Sequence, residues 1–216
     1  MKRVVLAGAW LALALGGGPA PARAQTGERL VIGLSAAHAE GRLAGLGAGE
    51  EELAGPLFGA EVRATLSWLH LRAEYREGHL ERGDRRATPR VASGRIGVGV
   101  SPFDWLAVTV GPRFFQLGTL ANDRWITRWR VDVHGTRTVL PGLLDVFASV
   151  GSSLAGTEMD WNAPFGGGSG GELGVRVGGD GALWSTLGYR VDREVIAGGG
   201  RQATETIYLA FGVAMR

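Results

Sequence analysis

Histidine is the side chain best suited to acid–base or metal chemistry near neutral pH, and the chain has four: His38, His70, His79 and His134. No two stand at i, i+2 or i, i+4, the spacings that bring two imidazoles onto one face of a strand or helix to hold a metal. None is followed two places on by serine. His38-Ala-Glu, His70-Leu-Arg, His79-Leu-Glu and His134-Gly-Thr offer no base paired with a nucleophile. Cysteine is absent, which removes thiolate ligands, disulfides and a lipidated cysteine anchor. The glycine-rich run Gly166 to Gly171 lacks a following Lys-Ser/Thr and leads into a strand pattern, so it reads as a flexible loop and not a phosphate cradle. Glu50-Glu51-Glu52 reads as a solvated acidic run. No catalytic, metal or cofactor-binding residue is assigned.

Arginine has the pattern that histidine lacks. Phe58, Ala60, Val62, Ala64 and Leu66 alternate with Gly59, Glu61, Arg63 and Thr65. The phase then jumps by one, and Leu69, Leu71, Ala73 and Tyr75 alternate with His70, Arg72, Glu74 and Arg76. Period-two alternation marks strands with two unlike faces. A two-residue turn at Ser67-Trp68 explains the jump, because it leaves its flanking residues on one face. A soluble sheet would bury its apolar face and show its charges to water. Here one face is densely charged and the other holds nothing polar, which suits a barrel with lipid outside and a charged lumen inside.

The alternation recurs along the chain. A first strand is expected over Glu28 to Ala36, then a long Gly- and Glu-rich loop over 37–57 with a short helix at Leu43 to Leu53. After a polar loop near 78–90 come a strand from Ser93, a five-residue turn at Ser101 to Trp105, and a strand from Leu106. Trp125 to Val133 follows, with 134–143 an ambiguous connection, and then Leu144 to Val150. A long loop over Gly151 to Gly171 precedes Leu173 to Val177, a turn at 178–182 and Leu183 to Val191, where Ser185 is the polar misfit on the outer face. The last strand places Ile207, Leu209, Phe211, Val213 and Met215 outward. That makes ten strands, with eight to twelve compatible with the ambiguous stretch.

Inward positions then carry Glu61, Arg63, His70, Arg72, Glu74, Arg76, Arg95, Arg113, Arg128, Arg130, Asp132, Asp145, Arg176, Arg190 and Asp192. Nine arginines face five acids. In a bore this narrow they are expected to form a salt-bridged plug, since desolvating them unpaired is costly. The alternative is a surface that selects anions.

Residues 1–24 are expected to be a signal peptide: Lys2 and Arg3, an apolar run from Val4 to Leu15, and Ala22-Arg23-Ala24 as the cleavage site. The apolar run is too short to span a bilayer as a helix. One barrel domain is expected over 25–216. Of 23 basic residues, Lys2, Arg3 and Arg23 fall in the leader, leaving 20 against 21 acids. That balance gives no reason to expect nucleic acid as a partner. Glycine, at 37 of 216 residues, points to tight turns and close approach of backbones in a sheet.

These features together resemble the small outer-membrane β-barrel proteins of Gram-negative bacteria, the broad OmpA- and OmpX-type group. The last strand looks like that group's assembly signal, which ordinarily ends in an aromatic residue. Here the chain ends Met215-Arg216, with Phe211 the nearest aromatic. The resemblance implies an all-β, up-and-down antiparallel transmembrane barrel in the outer membrane, with short periplasmic turns and longer external loops. It implies lipid, lipopolysaccharide and the barrel assembly machinery as partners, and no cofactor. Trp68, Phe103 and Trp105 would form an aromatic girdle at the short-turn end. The expected function is structural or surface-interacting, with an occluded lumen. A narrow anion-preferring pore is the alternative. An enzyme would need a rim site such as that of omptin-type proteases, for which His38, His79, Glu77, Asp84 and Asp192 are the candidates. A lipocalin-like soluble barrel would need apolar inner positions, the reverse of this pattern.

Overall fold

The computed structural model describes residues 29–44, 51–66, 68–81, 90–103, 105–119, 122–154, 167–178, 183–195 and 201–215. The expected signal peptide and Asp84 lie outside the described residues. Ten strands run in order: β1 Arg29–Ala44, β2 Glu51–Leu66, β3 Leu69–His79, β4 Arg90–Phe103, β5 Leu106–Thr119, β6 Asn122–Leu140, β7 Leu144–Ser153, β8 Gly168–Val177, β9 Leu183–Val195 and β10 Arg201–Met215. Each pairs antiparallel with its neighbours in sequence, and β10 closes on β1 from Leu30↔Met215 to Ala44↔Arg201. Closure leaves no strand edge to aggregate.

The register fixes the barrel's shape. Stepping across from Arg29, the partners are Thr65, His70, Gly99, Thr109, Asp132, Gly151, Gly170, Asp192 and Thr204, and the circuit returns to β1 at Gly41. The return point is 12 residues beyond the start, from 29 to 41. Ten strands sheared by that amount tilt about 40° from the axis, as strands of membrane barrels do.

Leu34, Leu173, Leu183, Ile207 and Phe211 are more than half exposed, a belt of apolar surface that water would not tolerate but lipid does. Trp68, Phe103 and Trp105 mark its lower edge, the last two stacked with ring centroids 5.8 Å apart. Tyr75 and Tyr189 mark its upper edge, donating hydrogen bonds to Glu77 at 2.7 Å and Glu205 at 2.6 Å. Above them the outer face turns ionic, with Arg90–Glu77 at 2.6 Å and Arg42–Glu52 at 3.5 Å.

Several strands run further than the alternation suggested. β1 and β2 occupy most of 37–57, so the expected long loop and its short helix at Leu43 to Leu53 are corrected to strand, with only 45–50 between them. The reason is a reversal of faces. Above the belt, Glu40, Arg42 and Glu52 point outward and are exposed, while Ala39, Leu53 and Leu57 pack inside with Leu80 as a small core. The period stays at two, but its polarity inverts where the outer surface leaves lipid for water. β6 likewise continues through the ambiguous stretch to Leu140, and Gly142, at φ 70°, turns the chain into β7. The expected five-residue turn at Ser101 to Trp105 is tighter, spanning only 104–105, with a register shift between Val100 and Phe103. Pro102, lacking an N–H for the ladder, accounts for that irregularity.

Candidate functional site

The inner face is organised about two carboxylates. Glu74 of β3 lies 3.1 Å from Arg72, 3.1 Å from Arg76, 2.7 Å from Arg95 and 2.7 Å from Arg190. Glu172 of β8 lies 3.6 Å from Arg72, 3.1 Å from Arg95 and 3.0 Å from Arg190, and it accepts a hydrogen bond from the Tyr208 hydroxyl. β3 and β8 stand five strands apart whichever way the ten-strand barrel is traversed. The Arg72–Glu172 contact therefore crosses a full diameter.

A second cluster sits nearer the end of the barrel whose outer surface is ionic. Asp192 accepts from Arg113 at 2.7 Å and Arg130 at 3.3 Å, and Arg130 also pairs with Asp132 at 2.8 Å. Glu194 meets Arg128 at 2.5 Å and Arg113 at 3.4 Å. Towards the other end, Glu61 holds Arg63 at 2.7 Å, with Arg72 further off at 3.9 Å. Arg176 lies over the rings of Phe147 and Trp184, 5.8 and 5.6 Å from their centroids, and His134 stacks on the same Phe147. Asp145 accepts from Thr138 at 2.7 Å. His70 bridges Thr65 and Ser101, at 3.2 and 2.5 Å.

Glycine makes room for this crowd. A Cβ at Gly151 would strike Asp132 and Arg130; one at Gly170 would strike Asp192 and Arg130; one at Gly168 would strike the Glu194 carboxylate. The run expected to be a flexible loop is thus corrected: Gly168 to Gly171 open β8, and the missing side chains are the space the arginines fill. Gly188 serves Tyr208 in the same way, and Gly33 and Gly212 serve Trp184.

Of the residues expected on the inner face, Glu61, Arg63, Arg72, Glu74, Arg76, Arg95, Arg113, Arg128, Arg130, Asp132, Arg190 and Asp192 take part in these ion pairs, while His70, Asp145 and Arg176 make the separate contacts given above. Asp192 is inside the ionic cluster and not at the rim. His38 points outward from β1, His79 ends β3, and Glu77 is engaged with Arg90, so these residues do not converge. Among the described residues no group of three His or acidic side chains is placed to hold a metal. Glu172 and Glu194 fall outside the expected set, because the first borders the loop expected over Gly151 to Gly171 and the second lies beyond the strand expected to end at Val191. A signal for Glu172 was present: Gly168, Gly170, Glu172, Gly174 and Arg176 continue the inward phase without a break. Among the described residues, the best-defined cavities in the bore are small, about 50 Å³ near Phe115 and Gln116 and about 20 Å³ beside Glu172. Each has room for at most a few waters.

A closed antiparallel barrel, apolar where it would meet lipid and ionic within, is the construction of the small outer-membrane barrels, and the chain has it across the height of its apolar belt. No family model and no curated protein matches the sequence. Solved structures that align with it include the attachment invasion locus protein Ail of Yersinia pestis, at 10% identity over 84% of this chain and 97% of that one, with a TM-score of 0.37. Neisserial surface protein A aligns at 11% identity over 84% and 96%, with a TM-score of 0.37. The translocator domain of the autotransporter NalP from Neisseria meningitidis aligns at 11% over 97% and 95%, with a TM-score of 0.42. Likeness at that level bears on neither kinship nor activity.

Proposed function

We propose that this is an outer-membrane barrel whose bore is closed by its arginine–carboxylate network, and whose role is structural or lies in contacts made at the external rim. The observation that carries the reading is the Arg72–Glu172 pair, 3.6 Å across a full diameter, flanked by Arg95 and Arg190 on the same carboxylates. A bore near this strand number has little volume beyond its own side chains. The reading makes the protein an exported one, with 1–24 as its signal peptide and the assembly machinery and lipid as its partners. In this reading the exposed collar of Glu40, Arg42, Glu52, Glu77 and Arg90 above the aromatic edge would meet lipopolysaccharide headgroups. No catalysis is assigned, since the titratable residues outside the bore do not converge.

A narrow anion-preferring pore is the second reading. One observation favours it: inward arginines outnumber inward acids even with Glu172 and Glu194 included. Planar-bilayer recording separates the two. The wild type should show little or no steady conductance. Replacing Arg63, Arg72, Arg95 and Arg130 together by Ser should open a measurable pore with weaker anion preference. A stable, large wild-type channel would refute the closed bore, and a quadruple variant that stays shut would count strongly against it.

A further inference from the structure

Along the chain no histidine has a serine two places on, but strand pairing brings one such couple together across the wall. Near the short-turn end of β2, β3 and β4, the inner face holds Thr65, His70 and Ser101. Thr65 and His70 are register partners, and Ser101 lies two residues beyond Gly99, the partner of His70 on β4. Ser101 Oγ stands 2.5 Å from His70 Nε2, and Thr65 Oγ1 stands 3.2 Å from Nδ1. A hydroxyl within hydrogen-bond reach of an imidazole whose other nitrogen is held by a third group is the arrangement that activates a nucleophile. His134 lacks it: its Nε2 meets Thr136 at 3.1 Å, and its buried Nδ1 has no hydrogen-bond partner among the described residues. Two further features favour chemistry over packing. Ser101 borders the register shift between Val100 and Phe103, and such irregularities re-aim side chains beside active sites. Arg72, one inward position above His70, keeps a buried Nε–H without a hydrogen-bond partner among the described residues, a donor for an oxygen that gains charge.

We propose that Ser101, His70 and Thr65 form a nucleophilic site for carboxylic esters at the short-turn mouth of the bore. With the ring proton on Nδ1 and donated to Thr65, Nε2 accepts from the Ser101 hydroxyl. Ser101 Oγ attacks the ester carbonyl carbon as its proton passes to Nε2. The carbon–oxygen bond of the ester then breaks, and the alcohol departs with that proton. Water gives a proton to Nε2 and cleaves the acyl-serine; the acid is released and the proton returns to Ser101 Oγ. The sum is ester plus water to acid plus alcohol. Thr65 touches no reacting atom and is a positioning residue. The three side chains are half-buried, and the Arg63–Glu61 and Arg72–Glu74 pairs stand immediately above them. The substrate is therefore a small ester that reaches in from the mouth. This activity goes beyond the closed-bore role and does not depend on it.

The test uses the whole barrel refolded in detergent, incubated with a fluorophosphonate probe and, separately, with para-nitrophenyl acetate. The phosphonate should attach to Ser101 of the folded wild type, located by mass spectrometry of its peptides, and not after heat unfolding. The ester should be turned over by the same folded protein. Ser101→Ala should abolish both reactions, and His70→Gln, which removes the base, should slow both by roughly 100- to 10,000-fold. Thr65→Val, which keeps the shape and loses the hydroxyl, should slow both, whereas Thr65→Ser should retain them; packing alone would not draw that distinction. Ser149→Ala, beside Glu172, and His134→Gln should leave both unchanged. The wild-type adduct is a readout that needs no variant to fold. No adduct on the folded wild type, an adduct without ester turnover, or undiminished rates in a folded His70→Gln would each overturn the site.

Discussion

Replacing Glu172 by Gln tests whether the ionic network holds the barrel together or only lines it. The carboxylate touches Arg72, Arg95 and Arg190 at 3.6, 3.1 and 3.0 Å and accepts from Tyr208. Gln is nearly isosteric and its amide oxygen can still accept from the phenol, so the change removes charge and little else. Deleting one member of a buried pair costs about 3–5 kcal/mol when its partner is left alone. Here the partners are not alone, because Arg72, Arg95 and Arg190 all keep Glu74 at 2.7 to 3.1 Å. The expected loss is therefore about 2–3 kcal/mol, which moves a urea midpoint by about 1–2 M. Tryptophan fluorescence of barrels refolded into lipid vesicles reads it. Glu77→Gln is the control, because the Glu77–Arg90 pair is half exposed, with side chains 45% and 51% accessible, and such pairs contribute little. Equal midpoints for the two variants would show that the network is scenery, and the argument for a held-shut bore would go with it.

On the lipid face, Val62→Arg or Val98→Arg should cost roughly 2–4 kcal/mol and depress folding yield in vesicles, whereas Glu61→Gln next to Val62 should be milder; similar yields would remove the membrane-barrel reading. Gly170→Val should push Arg130 and Asp192 apart and cost roughly 1–3 kcal/mol, measured by the same urea titration, with no loss refuting the space-making role of β8. Surface labelling of intact cells should detect epitope tags at Gly47 and at Asn162, between β7 and β8, but not one at Gly179. Gly168 is not a suitable tag site, because it pairs with Glu194 within the wall. Labelling only at Gly179 would reverse the orientation.

The wall was legible within the lipid belt and illegible above it, for a reason that sits in particular residues. Phe58 to Tyr75 shows apolar residues out and charged residues in, and the structure keeps that phase through Ala60↔Tyr75 and Glu61↔Glu74. In Ala39 to Arg42 and Glu52 to Leu57 the alternation continues, but Leu53 and Leu57 are inside and Glu52 is outside. A rule that equates apolar with outward finds no strand there. The ionic contacts were harder still. Glu61 faces the neighbouring strand that carries Arg72, yet its short contact is with Arg63 two residues along its own strand, at 2.7 Å against 3.9 Å. Nothing local reports that Arg190 reaches Glu74, 116 residues away in the chain; that follows only from closure and shear.

Glycine supplies the link between wall and bore. Inward glycines at 151, 168, 170 and 188 face Arg130, Asp132, Asp192, Glu194 and Tyr208, and Asp132, Glu194, Asp192 and Tyr208 each pair in register with one of them. A bore that had to stay open would gain from small residues all round. One lined with long arginines and nothing else would leave them no place to lie. Pairing some of the crowded groups with absent side chains leaves room for arginines to reach across the lumen, as Arg72 and Arg95 do to Glu172. The abundance of glycine in this chain is therefore tied to its ionic interior: the glycines set where the arginines can go, and the arginines set how little of the bore is left.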